Sequence, residues 1–311
     1  MNMDYRLSIV CGLHRSGTTF VGKLLSRAAG QVIVEPSNPL WGVLGVPMWY
    51  PYLEQGQRST LEVQQLYEDL VHFRRRWNRV PLKPVSLPSH LALRLFGGRQ
   101  GLIWSRLKLQ QWLNQLPENI FWKDPFVTFA LGYLVQTYSS LVVCMVRHPG
   151  ALYFSNHRLG WRFNVQEMRK QPHLMGKFGH TIPQEHWDLA TPGSAACIAI
   201  LWKLMAQVVH SVSERFDQIL VVRHEDLCLN PSEITANICQ HLQVPYTGEI
   251  QGYLEQTGQG KSAEPPPGVV HSFRRDRDAL INNWRQKIAL EDAAMMQEII
   301  GNDLHTFYPA W

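Results

Sequence analysis

The stretch Gly12-Leu13-His14-Arg15-Ser16-Gly17-Thr18-Thr19 gathers residue types that bind anions. It follows an apolar run and opens a helix-period stretch. In that context two glycines let the backbone turn tightly, so that several N–H groups and the positive end of a helix dipole converge on one phosphate. Arg15 adds charge, and Ser16, Thr18 and Thr19 add hydroxyl donors on either side of Gly17. A second anion site lies further along. Arg147 ends an apolar run, and Ser155 follows about two helical turns after it, past Pro149 in a first-turn position; a forked guanidinium and a hydroxyl there face one phosphate. Two more residues could do chemistry. Glu35 closes the run Gln31-Val32-Ile33-Val34, and Lys123 stands in Phe121-Trp122-Lys123-Asp124-Pro125. A carboxylate takes the proton of an attacking hydroxyl, and partial burial is expected to raise its pKa toward the working pH. A lysine meets negative charge on a departing oxygen.

These residues need a scaffold that brings them together. Strand-length runs at 7–11, 31–34, 120–122, 141–146 and 219–222 alternate with helix-period stretches at 18–29, 61–77, 126–137, 194–216 and 231–242. The alternation predicts an α/β fold, a parallel β-sheet flanked by helices, in a single domain spanning 1–311. Residues at the carboxyl ends of parallel strands share one crevice, which would gather Arg15, Glu35, Lys123 and Arg147. The interval 36–119 holds Trp41, Trp49, Tyr50, Tyr52, Trp77, Trp104 and Trp112 and reads as a largely helical insertion over the acceptor side. Its aromatic residues are either core or the wall of an acceptor pocket. Arg74, Arg75, Arg76 and Arg79 read as a basic helix face around Trp77, and 258–268 is loop chemistry.

Several function classes are disfavoured. Against the triphosphate pattern G-x-x-x-x-G-K-[ST], Thr18 stands where the lysine belongs, and no apolar run ends in a lone Asp for magnesium. A single phosphate bound without metal fits better. Thirty basic against 25 acidic residues give +5, which suits an anionic ligand without demanding nucleic acid. The five cysteines form no C-x-x-C pair, and His173, His180 and His186 match no metal-ligand spacing. Met1 to Gly12 reads as neither a signal peptide nor a span, so a cytoplasmic protein without stable membrane insertion is expected. A P-loop small-molecule kinase and a catalytically silent nucleotide- or polyanion-binding protein are alternative readings of the same residues.

Taken together, His14-Arg15-Ser16-Gly17-Thr18-Thr19, the strand-end Glu35, Lys123-Asp124-Pro125, Arg147 with Ser155, and Arg223-His224-Glu225-Asp226-Leu227 resemble the motif series of sulfotransferases that use 3′-phosphoadenosine 5′-phosphosulfate, PAPS. The likeness spans residues 7–35 and 120–300 and is nearest to the tyrosylprotein and carbohydrate branches. It implies a P-loop NTPase-like sulfotransferase fold and no metal. It also implies a donor held by Arg15, Ser16, Gly17, Thr18 and Thr19 at the 5′ end, and by Arg147 and Ser155 at the 3′-phosphate, with Arg274 as a further phosphate contact. Glu35 is then the general base, with Lys123 and Arg15 steadying charge. The acceptor would offer a hydroxyl or amine, and a small molecule or glycan, a lipid and a peptide all remain open for it. His14 stands where the family usually has Pro, and His148 where it usually has Asp. With His157 they are rival bases, because another branch uses histidine.

Overall fold

The computed structural model describes residues 4–56, 61–78, 96–258 and 277–309. β1 (Arg6–Cys11), β2 (Gln31–Val34), β3 (Asn119–Lys123), β4 (Leu141–Val146) and β5 (Ile219–Arg223) form one sheet in the order β2-β3-β1-β4-β5, with every pairing parallel. The strands are apolar along nearly their whole length because helices cover both faces. Alternation still sorts them: Leu7, Ile9, Ile33, Ile120 and Trp122 enter one core layer, and Val10, Val32, Phe121, Val143 and Met145 the other. Lys123 pairs in register with Val10 on one side and Val34 on the other, so β3 sits between the strand that feeds the phosphate loop and the strand that ends at Glu35.

Along the chain, α1 (Thr18–Leu25) follows the loop after β1. α2 (Leu61–Val71) and α3 (Gly98–Trp112) come from the insertion. The Gln100 side chain on α3 accepts the Val34 backbone N–H at 2.9 Å, which covers the open edge of β2. α4 (Pro149–Arg158) leaves β4 with proline at its first position, where no N–H is needed. α5 (Ala195–Ser213) starts at Ser194, whose hydroxyl accepts the Cys197 N–H at 3.1 Å. It is long and apolar enough to cross a membrane, yet most of it is packed inside the core with Trp202 at its centre. α6 (Pro231–His241) again begins on proline.

Three sequence expectations are corrected here. The 126–137 stretch is a 3₁₀ turn over Pro125–Ala130 followed by a helix over Leu131–Tyr138, because Asp124 accepts the Phe126 N–H and tightens the start. The 61–77 helix stops at Val71. Phe73 turns the chain with a φ of 50°, and Trp77 then bridges Val43 in antiparallel fashion. Arg74, Arg75 and Arg76 are therefore not a helix face, and Arg79 lies outside the described residues. The insertion is also less helical than expected, since 36–56 contains no helix and is held by turns. Its Tyr50, Trp77 and Trp104 are core, whereas Trp41 and Trp112 are exposed. None of the five cysteines forms a disulfide, and four are buried.

Candidate active site

Between β1 and α1 the chain makes a closed loop. The Ser16 N–H reaches the Leu13 carbonyl at 3.1 Å, and the Gly12 N–H donates to the Thr128 hydroxyl at 3.0 Å. Gly12 has a φ of 122°, and a Cβ there would stand 2.0 Å from the Met145 carbonyl oxygen, so β4 leaves room only for glycine. Ser16 lies over Gly12, and its buried hydroxyl has no hydrogen-bond partner among the described residues. Thr18 is buried and Thr19 half-buried on the first turn of α1, whose N-cap is Gly17.

The two motifs expected to bind anions, 140 residues apart in sequence, touch. Arg15 Nε donates to the Ser155 hydroxyl at 3.0 Å, and Arg147 Nη1 donates to the Arg15 carbonyl at 3.0 Å. A second Arg147 nitrogen reaches the Leu280 carbonyl at 3.3 Å, while its Nε is buried without a partner among the described residues. The Arg147 carbonyl accepts the Trp202 indole N–H at 2.9 Å, so the core helix α5 fixes the end of β4. A buried guanidinium N–H and a buried hydroxyl left unsatisfied are costly in an apolar setting, and acceptor oxygens of an anion would satisfy both. Arg274 lies outside the described residues.

Glu35 and Lys123 meet across the β2–β3 pair, Lys123 Nζ donating to Glu35 Oε1 at 2.5 Å. Lys123 is nearly buried, and its stem packs on Gly22 of α1. The other Glu35 oxygen accepts from Asn38 Nδ2 at 2.9 Å. The expected upward pKa shift of Glu35 is overturned. Burial does disfavour its charge, but the Lys123 ammonium and the hydrogen bonds from Lys123 and Asn38 outweigh burial and hold the carboxyl below its ordinary value. Behind the pair, buried Asp124 accepts the Ser37 N–H and hydroxyl, both at 2.7 Å, and so anchors the turn that follows Glu35. Burial pushes Asp124 up to about 7 against the pull of those donors.

Arg15, Glu35 and Tyr50 all have positive φ, at 74°, 55° and 51°. Such backbone in non-glycine residues persists where surrounding contacts over-determine it. Tyr50, which sequence reasoning left among undifferentiated aromatics, shares a 2.5 Å hydrogen bond with His14 Nδ1 and packs edge-on against Phe163. Burial, with the Arg15 charge adding to it, lowers the His14 pKa to about 4. Asn38, Thr128 and Tyr50 were missed. Only Asn38 carried a signal, as an Asx-turn former three residues after Glu35.

His148 is a helix cap. Its Nδ1 accepts the Gly150 N–H at 3.2 Å, its own N–H donates to Glu225 Oε1 at 3.1 Å, and its ring stacks on Trp284 with centroids 4.3 Å apart. Burial first, then the Arg285 and Arg147 charges, lower its pKa to about 3. His157 is exposed on α4. A folded pKa below the unfolded value near 6.5 means that the unfolded chain binds the extra proton first. The stabilisation is whole above about pH 6.5 and is lost as pH falls toward the folded value. His148→Asn keeps a capping oxygen and removes this titration. Its loss of stability between pH 7 and pH 4.5 is therefore smaller than wild type by on the order of 2 kcal/mol, measured by urea unfolding at both pH values.

The carboxyl ends of four neighbouring strands thus bring the Gly12–Thr19 loop, the Glu35–Lys123 ion pair and the Arg147 guanidinium to one edge of the sheet. The family model of the sulfotransferase family matches residues 9–248, and the chain belongs to that family. Among solved structures, the sulfotransferase domain from the curacin biosynthetic pathway is 14% identical over 96% of this chain and 98% of its own, with a TM-score of 0.48. The sulfotransferase domain from the Synechococcus PCC 7002 olefin synthase is 17% identical over 96% of this chain and 94% of its own, with a TM-score of 0.41. Sulfotransferase STF9 from Mycobacterium avium is 14% identical over 98% of this chain and 78% of its own, with a TM-score of 0.45. No curated protein matches the sequence.

Proposed function

We propose that the chain transfers a sulfuryl group from PAPS to the hydroxyl or amine of a carbohydrate, small-metabolite, lipid or peptide acceptor, releasing adenosine 3′,5′-bisphosphate. The observation that carries this reading is the 3.0 Å contact between Arg15 and Ser155, which brings the two motifs together at one edge of the sheet, as a nucleotide bearing charge at both ends requires. Ser16 Oγ and Arg147 Nε are the buried donors that such a ligand would satisfy. The loop from Arg15 to Thr19 holds the 5′ end, with Arg147 and Ser155 at the 3′-phosphate, and Arg274 is a further contact implied by family likeness.

Glu35 takes the acceptor proton as the acceptor oxygen or nitrogen bonds to sulfur. The bond between sulfur and the bridging phosphate oxygen breaks at the same time, and its electron pair stays on that oxygen. Lys123 and Arg15 meet the resulting charge. The 2.5 Å ion pair gives this a sequence in time: while Lys123 holds Glu35, the carboxylate is a weak base. When the ammonium turns to the departing oxygen, Glu35 loses its strongest stabilising neighbour and gains basicity. Calorimetric titration with adenosine 3′,5′-bisphosphate, beside ATP with Mg²⁺, tests the donor without knowledge of the acceptor. Metal-independent binding that favours the bisphosphate is the expected result. Preference for ATP with Mg²⁺ would point to a kinase and sink the proposal, as would binding of neither.

A further inference from the structure

The turn after Glu35 carries apolar side chains into solvent although its backbone is firmly held. Asn38 Oδ1 accepts the N–H groups of Leu40 and Trp41 at 2.9 and 3.1 Å, and the Gly42 and Val43 N–H groups bond to the Asn38 and Pro36 carbonyls, each at 2.9 Å. Leu40, Trp41 and Leu44 are nevertheless 53%, 52% and 49% exposed. Chain geometry also decides what lies beside them. The Val43–Trp77 bridge and the 2.8 Å bond from Leu44 N–H to the Arg76 carbonyl set residues 42–44 antiparallel to 76–78. Val43 and Trp77 point into the core, so alternation turns Leu44 and Arg76 outward together.

Arg76 is exposed and forms no ion pair with the described residues. Arg74 and Arg75 are drawn to Glu68 and Asp69, and Arg75 also donates to the Gly45 carbonyl at 2.7 Å. Three arginines against two carboxylates leave this edge positive. Lys108, whose ammonium reaches the Arg74 carbonyl, adds to it. A tryptophan and two leucines held on a stiff turn with a basic rim match the two requirements of an anionic bilayer surface: apolar area for the headgroup boundary and cations for the lipid phosphates.

We infer that the Leu40–Trp41–Leu44 turn and its arginine rim seat the protein on an anionic lipid surface. Asn38 ties this turn directly to the Glu35 carboxylate, so the surface delivers its occupant next to the candidate base. On the sulfuryl-transfer reading, the acceptor is then an amphiphile whose hydroxyl lies in the headgroup region. Docking itself needs no donor and stands apart from that reading.

Co-sedimentation with vesicles of phosphatidylcholine alone, and of phosphatidylcholine mixed with phosphatidylglycerol, tests it. Wild type is expected to sediment with the mixed vesicles, release at high salt, and ignore the neutral ones. The triple replacement Leu40→Ser, Trp41→Ser, Leu44→Ser lowers vesicle affinity about tenfold or more. Arg76→Glu lowers it about fivefold. Thermal unfolding and bisphosphate titration check that both variants are folded. Failure of wild type to bind the mixed vesicles overturns the inference, as does equal binding by the triple variant. A concentration-dependent dimer of wild type that the triple variant abolishes, without vesicle binding, would reassign the face to a second copy. If bisphosphate fails to bind while vesicles do, the transfer reading falls and the docking stands.

Discussion

Glu35→Ala abolishes useful turnover, lowering kcat about a thousandfold, while adenosine 3′,5′-bisphosphate binds within about twofold of wild type. The expectation rests on placement: Glu35 lies at the end of β2, whereas the proposed bisphosphate contacts are in the β1 loop and at the end of β4. Two complications must be separated from catalysis. Lys123 is 95% buried on the strength of its 5% exposure, so deleting Glu35 strands its charge and costs stability on the order of 3 kcal/mol. Glu35→Gln preserves the shape and an oxygen for Lys123 but cannot accept a proton, and is the better probe of the base. Turnover is read as bisphosphate released from PAPS in the presence of pooled phenolic, sugar and aliphatic alcohol acceptors. Loss in both variants, with wild-type melting for the glutamine, supports the base. Full activity in the glutamine variant would remove Glu35 from proton transfer and bring forward His14, which is neutral above about pH 4 and already bonded to Tyr50.

Arg147→Ala weakens bisphosphate binding about a hundredfold. The guanidinium is buried, and two of its nitrogens are engaged by the Arg15 and Leu280 carbonyls, which leaves Nε for a ligand oxygen. Charge-assisted hydrogen bonds in a desolvated site account for a loss of that size, since truncating one partner of a buried charged pair costs about 2–5 kcal/mol. Arg147→Lys restores little, because an ammonium cannot hold the Arg15 carbonyl and a phosphate in the same planar fork. Ser155→Ala costs less, about fivefold, because Arg15 loses only a neutral hydroxyl. Calorimetric Kd values for the three variants, beside their melting temperatures, check the order. Near-equal affinities across all three would place the 3′-phosphate elsewhere.

Much of the scaffold was legible from local pattern. Continuous apolar runs marked all five strands, and the prolines at 149 and 231 marked helix starts that the structure keeps. The Arg74–Arg76 run shows where local pattern fails. Its helix-like spacing lost to Phe73, whose positive φ turned the chain so that Trp77 could bridge Val43 and join Trp104 in the core. Tertiary packing outweighs propensity there, because burying large aromatic rings is worth more than the few tenths of a kcal/mol that separate helix from extended backbone for arginine.

Sequence alone determined which groups stand at strand ends. A phosphate loop, a glutamate, a lysine and an arginine each follow an apolar run, and parallel strands deliver such positions to one edge. Sequence could not say that β3 lies between β1 and β2, and that placement makes Lys123 the neighbour of Glu35 across 88 residues of chain. Nor could it assign charge states. Glu35 was expected to be raised and is lowered; His148, a rival base on paper, is a neutral cap. The physical reason is common to both: a pKa answers to burial and to charges within a few ångströms, and those neighbours come from elements far apart in the chain that meet only in the folded protein.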